Sequence, residues 1–392
     1  MNNNLPWGIL TGIRPVKIAM KCINEGMTKN ETIDFFKKTY GTSESKGRLA
    51  VEIALKEKPI IDNMNPRGIS LYIGIPFCPT RCLYCSFITN SVKQSAKLIP
   101  QYLECLLREI EYTAEIVKEK NLVIESVYIG GGTPTTLSAE MLKTLIEKLK
   151  CEFDLSGVKE FTVEAGRPDT VDFNKLKTLR NLGVDRVSIN PQTMNSETLK
   201  VIGRNHTPSQ IEEAVNLAKE AGFPVINMDL IAGLPGENVS MFENTLNRVY
   251  EMNPENITVH TLSIKRSSRL REMLDKYELP SGEETAKMVE LAQTFLKECG
   301  FSPYYLYRQK HMLGNLENIG YCKKNTESIY NIFIMEEVQT IIAMGCGGST
   351  KTVDKKNDRI ERIFNVKEPI EYINRIDEML KRKDCLRSEL QC

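Results

Sequence analysis

Between residues 69 and 264 the chain alternates short apolar, β-branched runs with longer helix-like segments. The apolar runs, at 70–75, 123–130, 159–164, 185–189, 224–232 and 256–264, predict strands. The segments between them, at about 94–119, 138–152, 171–182, 209–222 and 240–252, predict helices. Repeated strand–helix–strand units build a parallel sheet with right-handed crossovers. Six units rather than eight predict an incomplete barrel, open on one side. In such an architecture the chemistry gathers at the carboxyl ends of the strands.

The flanks read differently. Residues 1–67 form an N-terminal extension, with Pro15 placed as a first-turn residue and residues 30–57 helical and highly charged. Arg14 and Lys17 are either a site for an anionic ligand or a solvated helix start. Residues 68–265 form the barrel core, and residues 266–392 a C-terminal region expected to cover substrate. That region carries a charged stretch at 265–271, a helix at 281–299 and an aromatic, cationic segment with Tyr304, Tyr305, Tyr307, Arg308 and His311. The segment suits a flat, carboxylate-bearing ligand, and equally a tyrosine-rich strand packed on the barrel. A glycine turn follows the apolar run 341–344, and a terminal amphipathic helix is expected at 367–388 as a lid or packing element.

Composition narrows the function classes. The net charge of +1 argues against a dedicated nucleic-acid or acidic-membrane surface. No apolar run approaches the roughly 20 residues that span a bilayer, and the start lacks a basic stretch followed by an apolar one. Eleven cysteines in such a chain fit the reducing cytoplasm. Eight of them are scattered and read as plain thiols, Cys346 included.

The other three, Cys78, Cys82 and Cys85, fall within eight residues on a loop that follows the first strand. Pro76 and Pro79 stop the strand and stiffen the turn. Three thiolates are one short of a closed structural zinc site or an ordinary iron–sulfur site. They are enough for three irons of a 4Fe–4S cube whose fourth iron stays open to a small molecule. A zinc loop is the competing reading.

The remaining motifs fall at the predicted strand ends. Gly130-Gly131-Gly132-Thr133-Pro134 lets backbone approach a ligand closely. Glu164 closes the third strand and can accept hydrogen bonds from an ammonium or from ribose hydroxyls; the alternative is a salt-bridged rim residue. Gln192 follows the fourth strand and Arg204 lies beyond it. Asp229 interrupts an apolar strand, a costly position for a charge without a partner. Ser263 ends the sixth strand.

The cysteine loop resembles that of the radical S-adenosylmethionine (radical SAM) enzymes, and the stretch from Tyr72 to Cys78 that of the oxygen-independent coproporphyrinogen III oxidase family. Residues 11–17 resemble the HemZ-type branch of the HemN/HemW/HemZ group, whose members often begin earlier, so a piece of the N-terminal extension is expected to be absent. The resemblance implies an incomplete (β/α)6 radical SAM barrel with a small α+β C-terminal region. It implies a 4Fe–4S cluster on Cys78, Cys82 and Cys85, and one or two molecules of S-adenosylmethionine. Tyr72, Gly131, Glu164 and Ser349 match positions used for the first molecule. Tyr84, Gly132, Thr133, Gln192, Arg204, Asp229 and Ser263 match positions used for the second. No side chain is singled out as catalytic.

The implied reaction is oxidative decarboxylation of coproporphyrinogen III propionates to vinyls, giving protoporphyrinogen IX in haem biosynthesis. The implied partners are a tetrapyrrole substrate and a small-molecule or protein electron donor. The alternatives are a haem-binding chaperone of the HemW type, a radical methyltransferase or ring-opening enzyme acting on haem, and a non-enzymatic metal-binding module. One departure bears on the choice. Relatives with oxidase activity carry His two residues before the loop's first Pro, where this chain has Gly74.

Overall fold

The structure, a computed structural model, describes residues 6–10, 14–87, 90–310, 312–354, 357 and 359–389. Thr11, Gly12 and Ile13 of the segment at 11–17, His311 and Cys392 lie outside the described residues. The six expected strands are present: β1 (Gly68–Ile75), β2 (Val123–Gly131), β3 (Glu160–Glu164), β4 (Arg186–Ser188), β5 (Val225–Ala232) and β6 (Asn256–Thr261). They pair in parallel in that order. Beyond the first crossover, whose helix Ile99–Glu119 has no side-chain cap, the helices between them begin where small polar side chains take up free backbone N–H groups. Ser138 caps Ala139–Glu152, Asp172 caps Phe173–Asn181, and Thr207 with Gln210 closes a capping box on Pro208–Ala221.

Five further strands join the same sheet: β7 (Ser302–Tyr307), β8 (Asn318–Cys322), β9 (Thr340–Met344), β10 (Ser349–Asp354) and β11 (Arg359–Phe364). The order is β11-β10-β9-β1-β2-β3-β4-β5-β6-β8-β7. β9 lies parallel to β1, so the parallel run has seven strands rather than the expected six. All five of its residues are buried, as a strand covered on both faces requires. β8 and β7 extend the β6 edge antiparallel, and β10 and β11 do so beyond β9. No pairing joins β11 to β7 among the described residues, and the sheet is open.

Two expected helices are broken. The stretch 30–57 is two helices, Lys29–Tyr40 and Glu44–Asp62, because Gly41 takes a left-handed φ of 65° and ends the first while Ser43 caps the second. The stretch 367–388 is three short helices, Pro369–Asn374, Ile376–Lys383 and Cys385–Glu389. They pack on the long helix Ile99–Glu119. There Glu109 accepts from Tyr372, Asn365 and the Gly345 N–H, with Lys383 beside it. No described helix is long and apolar enough to cross a membrane, and no disulfide joins the described cysteines.

The N-terminal extension docks on the C-terminal region. Trp7 donates to Glu317 at 2.7 Å, and Arg308 donates to the Leu10 carbonyl at 2.7 Å. Arg14 is ion-paired with Glu337. These two arginines are therefore committed to packing the chain on itself and are not offered to an anion. Tyr304 and Tyr305 are buried, which is the packed-strand alternative for that segment.

Candidate active site

Alternation along the parallel strands sends every second side chain into the barrel. Tyr72, Tyr128, Glu164, Ser188, Asn227, Asp229 and His260 share this inner face. Tyr72 and Tyr128 stack at 6.2 Å, and Tyr128 stacks on Tyr330 at 4.5 Å. Tyr330 comes from the helix Ile329–Glu336, which is seated at the amino ends of the strands. Its Ile329 N–H donates to Glu160 at 2.8 Å, and Arg186 donates to the carbonyls of Thr326 and Glu327.

Glu164 receives the Tyr128 hydroxyl at 2.5 Å and the Gly131 N–H. Burial outweighs these bonds and, with the nearby Asp229 charge, pushes its carboxyl up to about 7. Asp229 is also buried, but its carboxyl stays below the usual range. His260 lies 3.7 Å away, and Asn227 donates to it at 2.8 Å. His260 in turn lies 3.4 Å from the Tyr307 hydroxyl. Two carboxyl groups on one inner wall are thus held in opposite protonation tendencies.

The cysteine loop crosses the carboxyl ends of β1 and β2. Gly131 has φ +110°, and a Cβ there would stand 3.1 Å from the Ile75 carbonyl oxygen. A Cβ on Gly132 would stand 2.6 Å from the Phe77 carbonyl oxygen. The glycine run and the loop therefore touch backbone to backbone, which is what these glycines make possible. The Gly132 and Thr133 N–H groups donate to the carbonyls of Ile75 and Phe77. Thr133 Oγ1 lies 3.4 Å from Cys78 Sγ.

Cys85 feels both Cys82 and Cys78, and burial pushes its thiol up to about 11. Arg204 bonds Tyr84 and Cys82 and also donates to the Gly166 and Asn190 carbonyls. Among the described residues no three His, Cys, Asp or Glu side chains close around a point for a single ion. A cube spreads three thiolates over three irons and asks for no such closure.

Gln192 sits at φ +67°, a strained backbone for a side chain of this kind. It is held there by bonds with Asp229 and Ile231, and its buried Oε1 has no partner. An unpaired acceptor, a carboxyl with an elevated pKa and a three-thiol loop, all at the strand ends, fit a cluster with S-adenosylmethionine bound beside it.

Of the expected site residues, Gly132 and Thr133 touch the cysteine loop, Arg204 reaches Tyr84 and Cys82, Tyr72, Gly131 and Glu164 cluster on the inner face, and Gln192 pairs with Asp229 through backbone. Ser263, just beyond the end of β6, donates to the Lys310 carbonyl at 3.1 Å. Ser349 is exposed on β10, opposite Phe364, with β9 between its strand and β1. Sequence reasoning overlooked Tyr128, Arg167, His260 and Tyr330 as parts of the site. Strand parity with Tyr72 and Glu164 is the signal for Tyr128. Nothing local marks Tyr330, which arrives from a distant helix.

Gly74 has a structural account. Its carbonyl accepts from Tyr102, whose hydroxyl also receives the Cys346 N–H at 3.0 Å. A Cβ at Gly74 would lie 3.0 Å from the Cys346 carbonyl oxygen. The turn at 345–348 crowds the place where a side chain would begin, and Cys346 itself is a buried thiol donating to the Lys367 carbonyl.

The radical SAM superfamily model matches residues 72–249. "Oxygen-independent coproporphyrinogen-III oxidase-like protein HemZ" of Bacillus subtilis is 43% identical over 380 residues, 96% of this chain and 76% of that protein. "Heme chaperone HemW" of the same organism is 32% identical over 296 residues, 73% of each chain. The solved structure of coproporphyrinogen III oxidase HemN from Escherichia coli superposes with a TM-score of 0.63 at 24% identity, covering 83% of this chain and 73% of that one. The chain belongs to the radical SAM superfamily, within its HemN/HemW/HemZ group.

Proposed function

We propose that this protein is an oxygen-independent coproporphyrinogen III oxidase-type enzyme, converting propionate side chains of the tetrapyrrole to vinyls. The observation that carries the reading is the packing of the three-cysteine loop on the Gly132 and Thr133 backbone, with Arg204 reaching Tyr84 and Cys82 and the Gly131 N–H donating to Glu164 beside it. When bound, the cluster and S-adenosylmethionine supply a 5′-deoxyadenosyl radical able to take hydrogen from an unactivated carbon. The chain's part is to bind, orient and exclude water. Cys78, Cys82 and Cys85 hold the cluster; the thiol of Cys85 gives up its proton on ligation. Glu164, Tyr72 and the backbone around Gly131 hold the ammonium and ribose of one S-adenosylmethionine. Thr133, Gln192, Arg204, Tyr84 and Asp229 line the place for a second. The reading includes residues 266–392 as the substrate-covering part, an electron donor and a cytoplasmic setting. The test is anaerobic incubation of reconstituted protein with reductant, S-adenosylmethionine and coproporphyrinogen III. Product lighter by two carbon dioxides and four hydrogens supports it; cleavage of S-adenosylmethionine with the tetrapyrrole untouched overturns it.

A second reading is favoured by Gly74. The position where oxidases carry His is packed against Cys346, and a chain without that His suits haem binding and delivery. Haem titration followed by transfer to an apoprotein, in the absence of S-adenosylmethionine turnover, would select this reading.

A further inference from the structure

Arg167 follows β3 and is only 2% exposed. A buried guanidinium is costly unless its N–H groups are paired. Here Nε and Nη2 grip Asp169 at 3.0 and 3.1 Å, a two-point fork that fixes the plane of the group. The remaining nitrogen, Nη1, reaches the cysteine loop. It donates to the Thr80 carbonyl at 3.2 Å, to Thr80 Oγ1 at 3.1 Å and to Cys82 Sγ at 3.9 Å. Thr80 passes the connection on to the Gly203 carbonyl at 2.8 Å, and Leu83 N–H donates to Ile202 at 2.9 Å. The arm that carries Cys82 is thus bracketed by residues 166–169 on one side and 202–204 on the other.

We propose that Arg167 is a positioning residue of the cluster loop, aimed by Asp169, that fixes the Cys82 arm and donates a hydrogen bond to the Cys82 sulfur. This rests on the cluster assignment of the preceding subsection. Asp169 cancels much of the guanidinium's charge at a distance, so the local N–H···S bond carries the effect. A donor on a ligating sulfur draws density from it and favours the reduced, more negative cluster. The buried imidazole of His206, 3.9 Å from Asp169, makes no hydrogen bond through either nitrogen and leaves that carboxylate to Arg167.

The test uses the whole chain, reconstituted anaerobically, as wild type, Arg167→Lys, Arg167→Gln and Arg167→Met. The readouts are iron and sulfide content, circular dichroism and the cluster midpoint potential from an electron-paramagnetic-resonance titration. Arg167→Met is expected to fold, take up iron more slowly and show a midpoint more negative than wild type. Arg167→Lys keeps the charge but loses the fork and is expected to shift in the same direction. Arg167→Gln, with one planar donor, is expected to recover part of the shift. A variant with a full cluster and an unmoved midpoint overturns the inference while leaving the cluster assignment intact. If Arg167→Met does not fold, the Lys and Gln variants decide by the same criterion. A wild-type protein that takes up no cluster overturns both.

Discussion

Tyr128 and Glu164, on neighbouring parallel strands, share a hydrogen bond of 2.5 Å inside the barrel, and burial, outweighing that bond, pushes the carboxyl up to about 7. An unfolded glutamate loses its proton near pH 4.3. Between these values the native chain binds a proton that the unfolded chain has given up. The stability Glu164 contributes is therefore full below about pH 4 and is lost as the pH rises through 7. In chemical denaturation of the cluster-free protein, wild type should lose stability relative to Glu164→Gln between pH 5 and pH 8. Binding an ammonium needs the ionised form, so S-adenosylmethionine affinity should rise over the same interval and be weak at every pH in the Gln variant.

Gly132 faces carbonyl oxygens, not flexible side chains. Gly132→Ala would set a methyl 2.6 Å from the Phe77 oxygen and 2.9 Å from the Ile75 oxygen. Backbone must move to admit it, at a cost of about 1–3 kcal/mol. Denaturant melts should show that loss. Iron content after reconstitution should fall, since the displaced backbone carries Cys78.

Restoring the missing imidazole should not restore an oxidase-like site. Gly74→His would push its Cβ against the Cys346 oxygen. The expected result is a thermal midpoint lowered by several degrees with no gain in tetrapyrrole turnover. A stable, more active Gly74→His variant would show that the turn at 345–348 yields readily.

Glu109 ties the terminal helices to the turn behind the cysteine loop. It is buried and accepts from Gly345 and Asn365, both at 2.7 Å, with Lys383 at 3.2 Å. Glu109→Ala leaves the lysine buried without its counter-charge, bonded only to the Ala343 carbonyl and Thr350 Oγ1, at a cost of about 3 kcal/mol. Glu109→Ala with Lys383→Met should recover part of that loss, as a double-mutant cycle would read out.

The alternation of apolar runs and helical segments was legible because those periods are local. A strand covered on both faces must be apolar, and a helix must bury one stripe, wherever the chain later goes. The same holds for the cysteine spacing and for Gly130, Gly131 and Gly132, whose chemistry lies within a few neighbouring residues. Gly41 was legible in principle as a helix stop, yet the charged pattern on both sides of it reads as one helix.

The sequence by itself determined the parallel barrel, its strand ends, and a loop carrying three thiols over them. Only the tertiary structure decided who meets whom across long separations. It brought β9 beside β1 and crowded the space at Gly74 with the Cys346 turn. It spent Arg14 and Arg308 on Glu337 and Leu10, set Tyr330 against Tyr128, and aimed Arg167 at Cys82. It also left Ser349 exposed on β10, with β9 between its strand and β1. Such pairings depend on how packed layers settle against each other, and the period of a strand or helix carries no record of its distant neighbours.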